Sequence, residues 1–207
     1  MSAIDAVVDL RLFGETFVTL FVIMDPPGTV PIFLGLTSTM TSTARKRAAR
    51  QAVLVALLVI SLFALFGQGI LSYLHITLPA LQGAGGLLLL LVALELLTGH
   101  ADDPSARADV NVALVPLGTP LLAGPGAIVA TMVFVQRSEE VGDYVAVALG
   151  IVLVHLSLYL AMRFAGQIHR VLGEGGVVLV TRIAGLLLSA IAVQLVADSV
   201  RAFIEAG

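Results

Sequence analysis

The sequence predicts an all-α membrane protein with six transmembrane helices. Three observations support this class: 58% of the 207 residues are hydrophobic, only 12% are charged, and the mean hydropathy is +1.05. Soluble domains usually contain about 45–50% apolar and about 25% charged residues. No stretch rich in serine, proline or charge is long enough to separate domains, so we expect one membrane domain over residues 1–207.

Charge and cysteine content exclude several other classes of protein. The formal net charge of -3 argues against a nucleic-acid partner, and the absence of cysteine excludes disulfides, thiolate catalysis and Cys-ligated metals. The sequence has no GxSxG or HExxH motif, so we predict that the protein is not an enzyme and has no cofactor. The N-terminal stretch "MSAIDAVVDLRLFGE" is acidic where a signal peptide would be basic. We therefore expect the first apolar segment to be kept in the mature protein.

Uncharged stretches locate the helices, because a hydrocarbon core about 30 Å thick requires about 20 helical residues. The predicted segments are residues 12–36, two crossings within 51–94 separated by a turn at 72–79, and then 110–136, 144–162 and 183–197. The last segment is short. Arg182 is therefore expected to place its charged end at the membrane surface while its stem stays in lipid.

The basic residues indicate how the chain is oriented. If all six segments cross, one side of the membrane holds Arg45, Lys46, Arg47, Arg50, Arg107, Arg163, Arg170 and Arg182, and the other holds only Arg11, Arg137 and Arg201. The excess of basic residues marks the cytoplasmic side, which places both termini outside. Re-entrant hairpins in the first and fourth segments would also sort the basic residues eight to three, so the charge rule leaves both arrangements open.

Internal similarity divides the chain into two halves. Pro27-Gly28 recurs as Pro125-Gly126, and "GLLLLLVALELL" from Gly86 matches "GLLLSAIAVQLV" from Gly185 at nearly the same spacing. We therefore predict two three-helix repeats, residues 11–99 and 109–200. An odd number of crossings inverts the second copy relative to the first. Inverted repeats with discontinuous helices are common in secondary transporters.

The first and fourth predicted segments each contain a Pro/Gly motif that an ordinary helix cannot pass through. These motifs are "DPPGTVP" at residues 25–31 and "PLGTPLLAGPG" at 116–126. Proline lacks an amide hydrogen and clashes with the preceding turn. The freed backbone groups cannot face lipid, where each unsatisfied group costs several kcal/mol. We expect both breaks to lie at the same depth and to share one polar pocket near the membrane centre.

Asp25 is the main candidate for a functional residue. A charged carboxylate at the centre of a membrane helix costs about 2.5–3.5 kcal/mol on insertion scales. Asp25 either caps the second half-helix, with Pro26 at its first position, or binds the cationic end of a substrate or a coupling ion, Na⁺ or H⁺. The free amides of a half-helix would bind an anionic group, so a zwitterionic amino acid suits such a site.

The other candidates flank the breaks or occupy matching positions in the two repeats. The predicted path residues are Asp25, Pro26, Gly28, Thr29, Pro31, Glu95, Thr119, Pro120, Gly124, Pro125, Gly126 and Gln194. Threonines in membrane helices often bond only to their own backbone, and Glu95 lies near a helix end where its carboxylate can reach the surface. His155 suggests a proton relay, although a hydrogen bond within the helix bundle is the commoner role. No metal-binding motif is present.

Three stretches resemble the MarC family of membrane proteins, also called the neutral amino acid transporter family. They are "DPPGTVPIFLGLT" at 25–37, "PLGTPLLAGPGAI" at 116–128 and "TRIAGLLLSAIAVQLVADSV" at 181–200, and the similarity extends over nearly the whole chain. The family more often has alanine or another small residue where Gly118 stands. The resemblance implies a bacterial or archaeal cytoplasmic-membrane protein that moves small neutral amino acids.

Two other classes of function are considered beside a transporter that works by alternating access. A channel could use the two facing breaks as a filter, as paired half-helices do in aquaporins, and could pass another small polar solute. An intramembrane enzyme would require a nucleophile and a base, or a set of metal ligands, and the sequence contains neither pattern. The channel is therefore the main alternative.

Overall fold

The computed structural model describes residues 9–98 and 122–206, and these residues form α-helices joined by short turns. The helices are α1 (Leu10–Met24), α2 (Pro26–Leu36), α3 (Ser42–Leu74), α4 (Leu78–Thr98), α5 (Pro125–Arg137), α6 (Val141–Arg163) and α7 (Ala165–Ala206). Five segments, with α1 and α2 taken together, are long and apolar enough to cross a membrane. The prediction of an all-α membrane protein is thus confirmed. Only the last part of the predicted fourth segment lies within the described residues.

Helices α3 and α4 are separated by a turn within the predicted range 72–79. The backbone of His75, just after α3, is left-handed with φ 56°, and α4 begins at Leu78. The N-terminal end of α3 begins before the uncharged stretch that starts at residue 51. Thr41 caps this end, because its hydroxyl accepts a hydrogen bond from the Ala44 amide at 3.3 Å. The basic residues that follow are therefore helical and precede the apolar part of α3.

Helix α7 is much longer than the predicted segment 183–197. It continues through Arg182, whose side chain is exposed, and its one non-helical residue is Gly173, with φ 66° and ψ 177°. Uncharged length measures the part of a helix that lies in lipid, whereas charged residues such as arginine continue a helix readily. This difference explains why the prediction was too short.

The buried side chains form two clusters. The larger one joins α1, α2, α3, α5 and α6 and contains Leu20, Phe33, Ile60 and Leu158, all fully buried. The smaller one joins α1, α4 and α7 around Leu89 and its neighbours. Many large apolar side chains, such as Leu65 and Leu186, are exposed on the outside of the helices, as expected for a surface that faces lipid.

Helices α4 and α7 pack closely and run antiparallel. A Cβ atom on Gly86 of α4 would lie 2.8 Å from the carbonyl oxygen of Ala192 on α7. A Cβ atom on Gly185 of α7 would lie 3.3 Å from the carbonyl oxygen of Ala93 on α4. The two contacts occur in opposite order along the chain, which makes the helices antiparallel. Glycine at these positions lets the backbones approach.

Helices α3 and α6 are also antiparallel. Gln68 and Tyr144 line one groove of about 460 Å³, and further along the pair the ring of His155 lies beside the backbone of Ala56. The beginning of α3 therefore lies at the same end of the bundle as the end of α6.

Helices α1 and α2 together run along α6 from one end to the other. Arg11 and Glu15 at the start of α1 border the same cleft as Asp143 at the start of α6. At the far end of α2, the carbonyl oxygen of Thr37 accepts a hydrogen bond of 3.0 Å from Arg45 at the start of α3. A re-entrant hairpin would return α2 to the end where α1 begins. The contacts therefore favour a first segment that crosses the membrane.

Candidate functional site

The first membrane segment is interrupted at Asp25. Helix α1 ends at Met24, Asp25 has left-handed backbone angles (φ 39°, ψ 68°), and α2 begins at Pro26. Aspartate is one of the few residues other than glycine that adopt this conformation, through local hydrogen bonds of its short side chain. The residue is only 7% exposed, so the interruption is buried inside the protein.

The two prolines after Asp25 leave carbonyl groups of α1 without partners in their own helix. The carbonyl of Phe21 accepts the Asp25 amide at 3.1 Å. In a continuous helix the carbonyls of Val22 and Ile23 would accept the amides four residues ahead, but those positions are Pro26 and Pro27, which have no amide hydrogen. The negative end of the α1 dipole thus lies at the break.

The carboxylate of Asp25 uses only one of its two oxygens as a helix cap. Its Oδ1 accepts a hydrogen bond of 3.1 Å from the Gly28 amide at the start of α2. Its Oδ2 is buried and has no hydrogen-bond partner among residues 9–98 and 122–206. The capping role proposed from the sequence therefore accounts for one oxygen, and the second oxygen has no partner among the residues that the structure describes.

Gly28 allows α7 to approach the carboxylate. A Cβ atom at Gly28 would overlap Oδ2 of Asp25 and would lie 3.2 Å from the hydroxyl oxygen of Thr181 on α7. The carboxylate and this hydroxyl therefore lie close to each other beside Gly28. Thr181 was not predicted as a site residue. The available signal was its position four residues before Gly185, on the side of α7 that carries the small residues packed against α4.

The other predicted residues of the first motif have structural positions around the break. Pro26 is buried at the first position of α2. Thr29 is buried, and its hydroxyl donates a 2.9 Å hydrogen bond to the carbonyl oxygen of Asp25, the local role that membrane threonines commonly have. Pro31 lies inside α2 with its ring exposed, so it does not face the break.

The described part of the second motif begins helix α5. Gly124 precedes the helix without a side-chain cap, and Pro125 is its exposed first residue. Gly126 is buried against Leu89 of α4, because a Cβ atom at Gly126 would overlap the Leu89 side chain. The predicted path residues Thr119 and Pro120 lie outside the described residues.

Both motifs border the α4–α7 pair, at different levels. The antiparallel contacts of Gly86 and Gly185 place Leu89 beside residue 189 of α7. The first motif meets α7 at Thr181, about two helical turns or on the order of 12 Å away along the axis. In the part of the chain that the structure describes, the motifs therefore contact α4 and α7 at different levels and do not close around one compact pocket.

Glu95 and Gln194, predicted from their matching places in the two repeats, point away from the break. Both side chains are exposed, and the Gln194 amide donates a 2.8 Å hydrogen bond to Asp198 on the same helix. Each residue follows a buried alanine of the α4–α7 contact, Ala93 or Ala192, by two positions, which rotates it about 200° around the helix. Neither residue joins Asp25.

His155 and the remaining polar groups do not extend the site. The Nδ1 atom of His155 lies 2.7 Å from the carbonyl oxygen of Ile151 in the same helix, so the ring is held within the bundle. In residues 9–98 and 122–206, no group of three or more His, Asp or Glu side chains could hold a metal ion. The site is therefore built from one carboxylate, hydroxyl groups and backbone groups.

These features define a multi-pass helical integral membrane protein with a buried acidic break in its first membrane segment. The chain belongs to the MarC family, because the model described as "MarC family integral membrane protein" matches residues 10–204. The family predicted from the sequence motifs is thereby confirmed.

Relatives of this chain occur in archaea and bacteria. The UPF0056 membrane protein MJ1677 of Methanocaldococcus jannaschii is 38% identical over 93% of this chain and 98% of its own length. The UPF0056 membrane protein YvbG of Bacillus subtilis is 31% identical over 88% and 90% of the two chains, and YhcE of Escherichia coli is 28% identical over 93% and 94%. No solved structure matches the chain.

Proposed function

We propose that the protein is a secondary transporter of small neutral amino acids in the cytoplasmic membrane of a bacterium or archaeon. The observation that carries this proposal is the buried Asp25 carboxylate, which lies between two helices of one membrane segment and has one oxygen without a partner in residues 9–98 and 122–206. Intramembrane carboxylates mark substrate or ion pathways, and broken helices form the binding sites of many transporters. The proposal assigns no catalytic step to the chain.

The proposed architecture is a pair of inverted repeats, residues 11–99 and 109–200, with broken first and fourth segments. It is supported by the reciprocal contacts of α4 and α7. Gly86 meets Ala192 and Gly185 meets Ala93, and the sequence match pairs Gly86 with Gly185 and Ala93 with Ala192. Contacts that exchange in this way are the signature of a two-fold axis. Because the helices are antiparallel, the axis would lie in the membrane plane.

The mechanism we propose is alternating access. Helix α2 of the first repeat packs against α6 and α7 of the second, and α5 of the second repeat packs against α3 and α4 of the first. Each described half-helix is therefore seated on the other repeat, so rocking of the repeats would change the shape of the path between them. The free amides at the start of α2 or α5 would bind a substrate carboxylate.

We infer that both termini lie outside the cell. The basic residues at the start of α3, Lys46, Arg47 and Arg50, are exposed at the end of the bundle where α6 finishes with Arg163. Basic residues collect on the cytoplasmic side of a membrane protein. Because the contacts favour a crossing first segment, the N-terminus would lie opposite this basic end.

The test is uptake of labelled glycine and alanine by proteoliposomes with and without a Na⁺ or H⁺ gradient. We expect saturable uptake and counterflow in the native protein. Asp25→Asn should remain inserted and folded and should lose at least nine-tenths of the uptake. Flux that does not saturate and shows no counterflow would indicate the channel instead. Full activity of Asp25→Asn would remove Asp25 from the site.

A further inference from the structure

We propose that the break at Asp25 is a sodium-binding site in which Oδ2 of Asp25 and the hydroxyl oxygen of Thr181 are ligands. The inference rests on the proposed function, since it identifies the coupling ion of the transporter. Oδ2 is buried and without a partner among the described residues, and both oxygens lie close to the point where a Cβ atom of residue 28 would stand. Two hard oxygen atoms from distant parts of the chain are thus near each other.

The backbone around the site also favours a cation. The carbonyls of Val22 and Ile23 belong to the last turn of α1, immediately before Asp25, and the following prolines remove their amide partners. Unwound carbonyls and the C-terminal ends of half-helices coordinate Na⁺ in other transporters with discontinuous helices. The partial negative charge at the end of α1 and the charge of Asp25 act in the same direction.

A bare ion fits this space better than the ammonium group of an amino acid. The carboxylate is seated so closely over Gly28 that a methyl group there would overlap it, and the Thr181 hydroxyl stands 3.2 Å from the same point. The ammonium group of an amino acid carries the α-carbon behind it and requires room for that carbon as well. A sodium ion requires only oxygen ligands, such as carboxylate, hydroxyl and carbonyl groups, which are all present here.

The two side-chain ligands lie on opposite sides of a contact that the transport cycle would change. Asp25 belongs to the first half of the chain and Thr181 to α7 in the second half, and α2 and α7 pack against each other. An ion bound by both side chains would therefore hold the two halves together at this level. Binding of Na⁺ should stabilise one conformation, and its release should free α7 from α2.

The experiment measures binding of ²²Na⁺ to the purified full-length protein in detergent, at constant ionic strength maintained with choline, together with thermal stability in Na⁺, K⁺ and choline. We expect saturable Na⁺ binding and a rise in melting temperature in Na⁺ only. Asp25→Asn should abolish binding. Thr181→Val should weaken it by about ten- to a hundredfold, the range found when groups that support a bound metal are removed, whereas Thr181→Ser should retain it.

Ser157→Ala is the matched control. It removes a hydroxyl that bonds only to the Leu153 carbonyl of its own helix, at 2.9 Å, and should leave Na⁺ binding unchanged. Na⁺ binding that survives Asp25→Asn, or equal stabilisation by K⁺, would overturn the site. Amino acid counterflow that requires no Na⁺ would overturn the coupling ion while leaving the transporter standing. Na⁺ binding without amino acid transport would leave the ion site standing and refute the proposed function.

Discussion

Replacing Gly86 by alanine tests the packing of α4 against α7 directly. The new methyl group would lie 2.8 Å from the carbonyl oxygen of Ala192, 2.8 Å from Cγ2 of Val196 and 3.1 Å from the backbone nitrogen of Val196. Two of these three atoms belong to the α7 backbone and cannot rotate away. The helices must therefore move apart, and overpacking of this kind costs about 1–3 kcal/mol.

The alanine itself partly offsets this cost, because alanine stabilises a helix by about 1 kcal/mol relative to glycine. Gly69→Ala supplies the matched reference: Gly69 lies inside α3, and a methyl group there would meet nothing within 4 Å. The difference between the two variants therefore isolates the packing term, which we expect to be about 1–3 kcal/mol in favour of Gly69→Ala.

The measurement is the free energy of unfolding of each variant in mixed detergent micelles, with thermal stability as a second readout. The stability of Gly185→Ala should lie between those of Gly86→Ala and Gly69→Ala, because its nearest backbone contact, the Ala93 carbonyl oxygen, would be 3.3 Å from the new methyl group. Adding Val196→Ala to the Gly86→Ala variant should restore only part of the lost stability, since the Ala192 carbonyl would remain in place. Equal stability of Gly86→Ala and Gly69→Ala would refute the close antiparallel contact.

Three further predictions concern topology, the break and a long-range hydrogen bond. Cysteines introduced at Asp9 and Lys46 should be labelled from opposite sides of the membrane, and labelling from one side would restore the re-entrant hairpin. Gly28→Ala should abolish uptake in proteoliposomes while the protein still inserts, because the new methyl overlaps the Asp25 carboxylate; normal uptake would contradict that geometry. Ser199→Ala should lower the free energy of unfolding by about 0.5–1.5 kcal/mol, because the Ser199 hydroxyl donates a 2.7 Å hydrogen bond to the Pro79 carbonyl at the start of α4. Ser189→Ala should change it little, because that hydroxyl bonds only within α7 among the described residues. Equal losses in the two variants would refute the hydrogen bond between the helices.

The sequence predicted the helical class because this class depends on local chemistry. Apolar length and the missing amides of Pro26 and Pro27 act within a few residues, whatever the rest of the fold does. The contact between Gly28 and Thr181 joins positions far apart in the chain, and only the packing of α2 on α7 brings them together. The spacing of Thr181 from Gly185 indicates only which side of α7 it occupies, and not that it meets Gly28.

The directions in which the Glu95 and Gln194 side chains point could not be predicted from the sequence. In a soluble protein, apolar residues spaced three and four positions apart reveal which side of a helix is buried. The parts of α4 and α7 that lie in lipid are almost entirely apolar, because lipid covers what the protein does not, so this signal is largely lost. The small residues that mark the packed face, such as Gly86 and Ala93, place Glu95 on the far side of the helix.

The identity of the residue at position 25 distinguishes a purely structural role from a role in binding. Capping α2 and adopting left-handed backbone angles would be served as well by asparagine, which does both without a charge. A carboxylate costs about 2.5–3.5 kcal/mol at the centre of a membrane helix on insertion scales, and the cap uses only Oδ1. The cap therefore requires neither the charge nor Oδ2, which has no partner among the described residues, and a bound cation would account for both. Asp25→Asn keeps the cap and the backbone geometry while removing the charge, so without bound ion it should be at least as stable as the native protein, while its Na⁺ binding is lost.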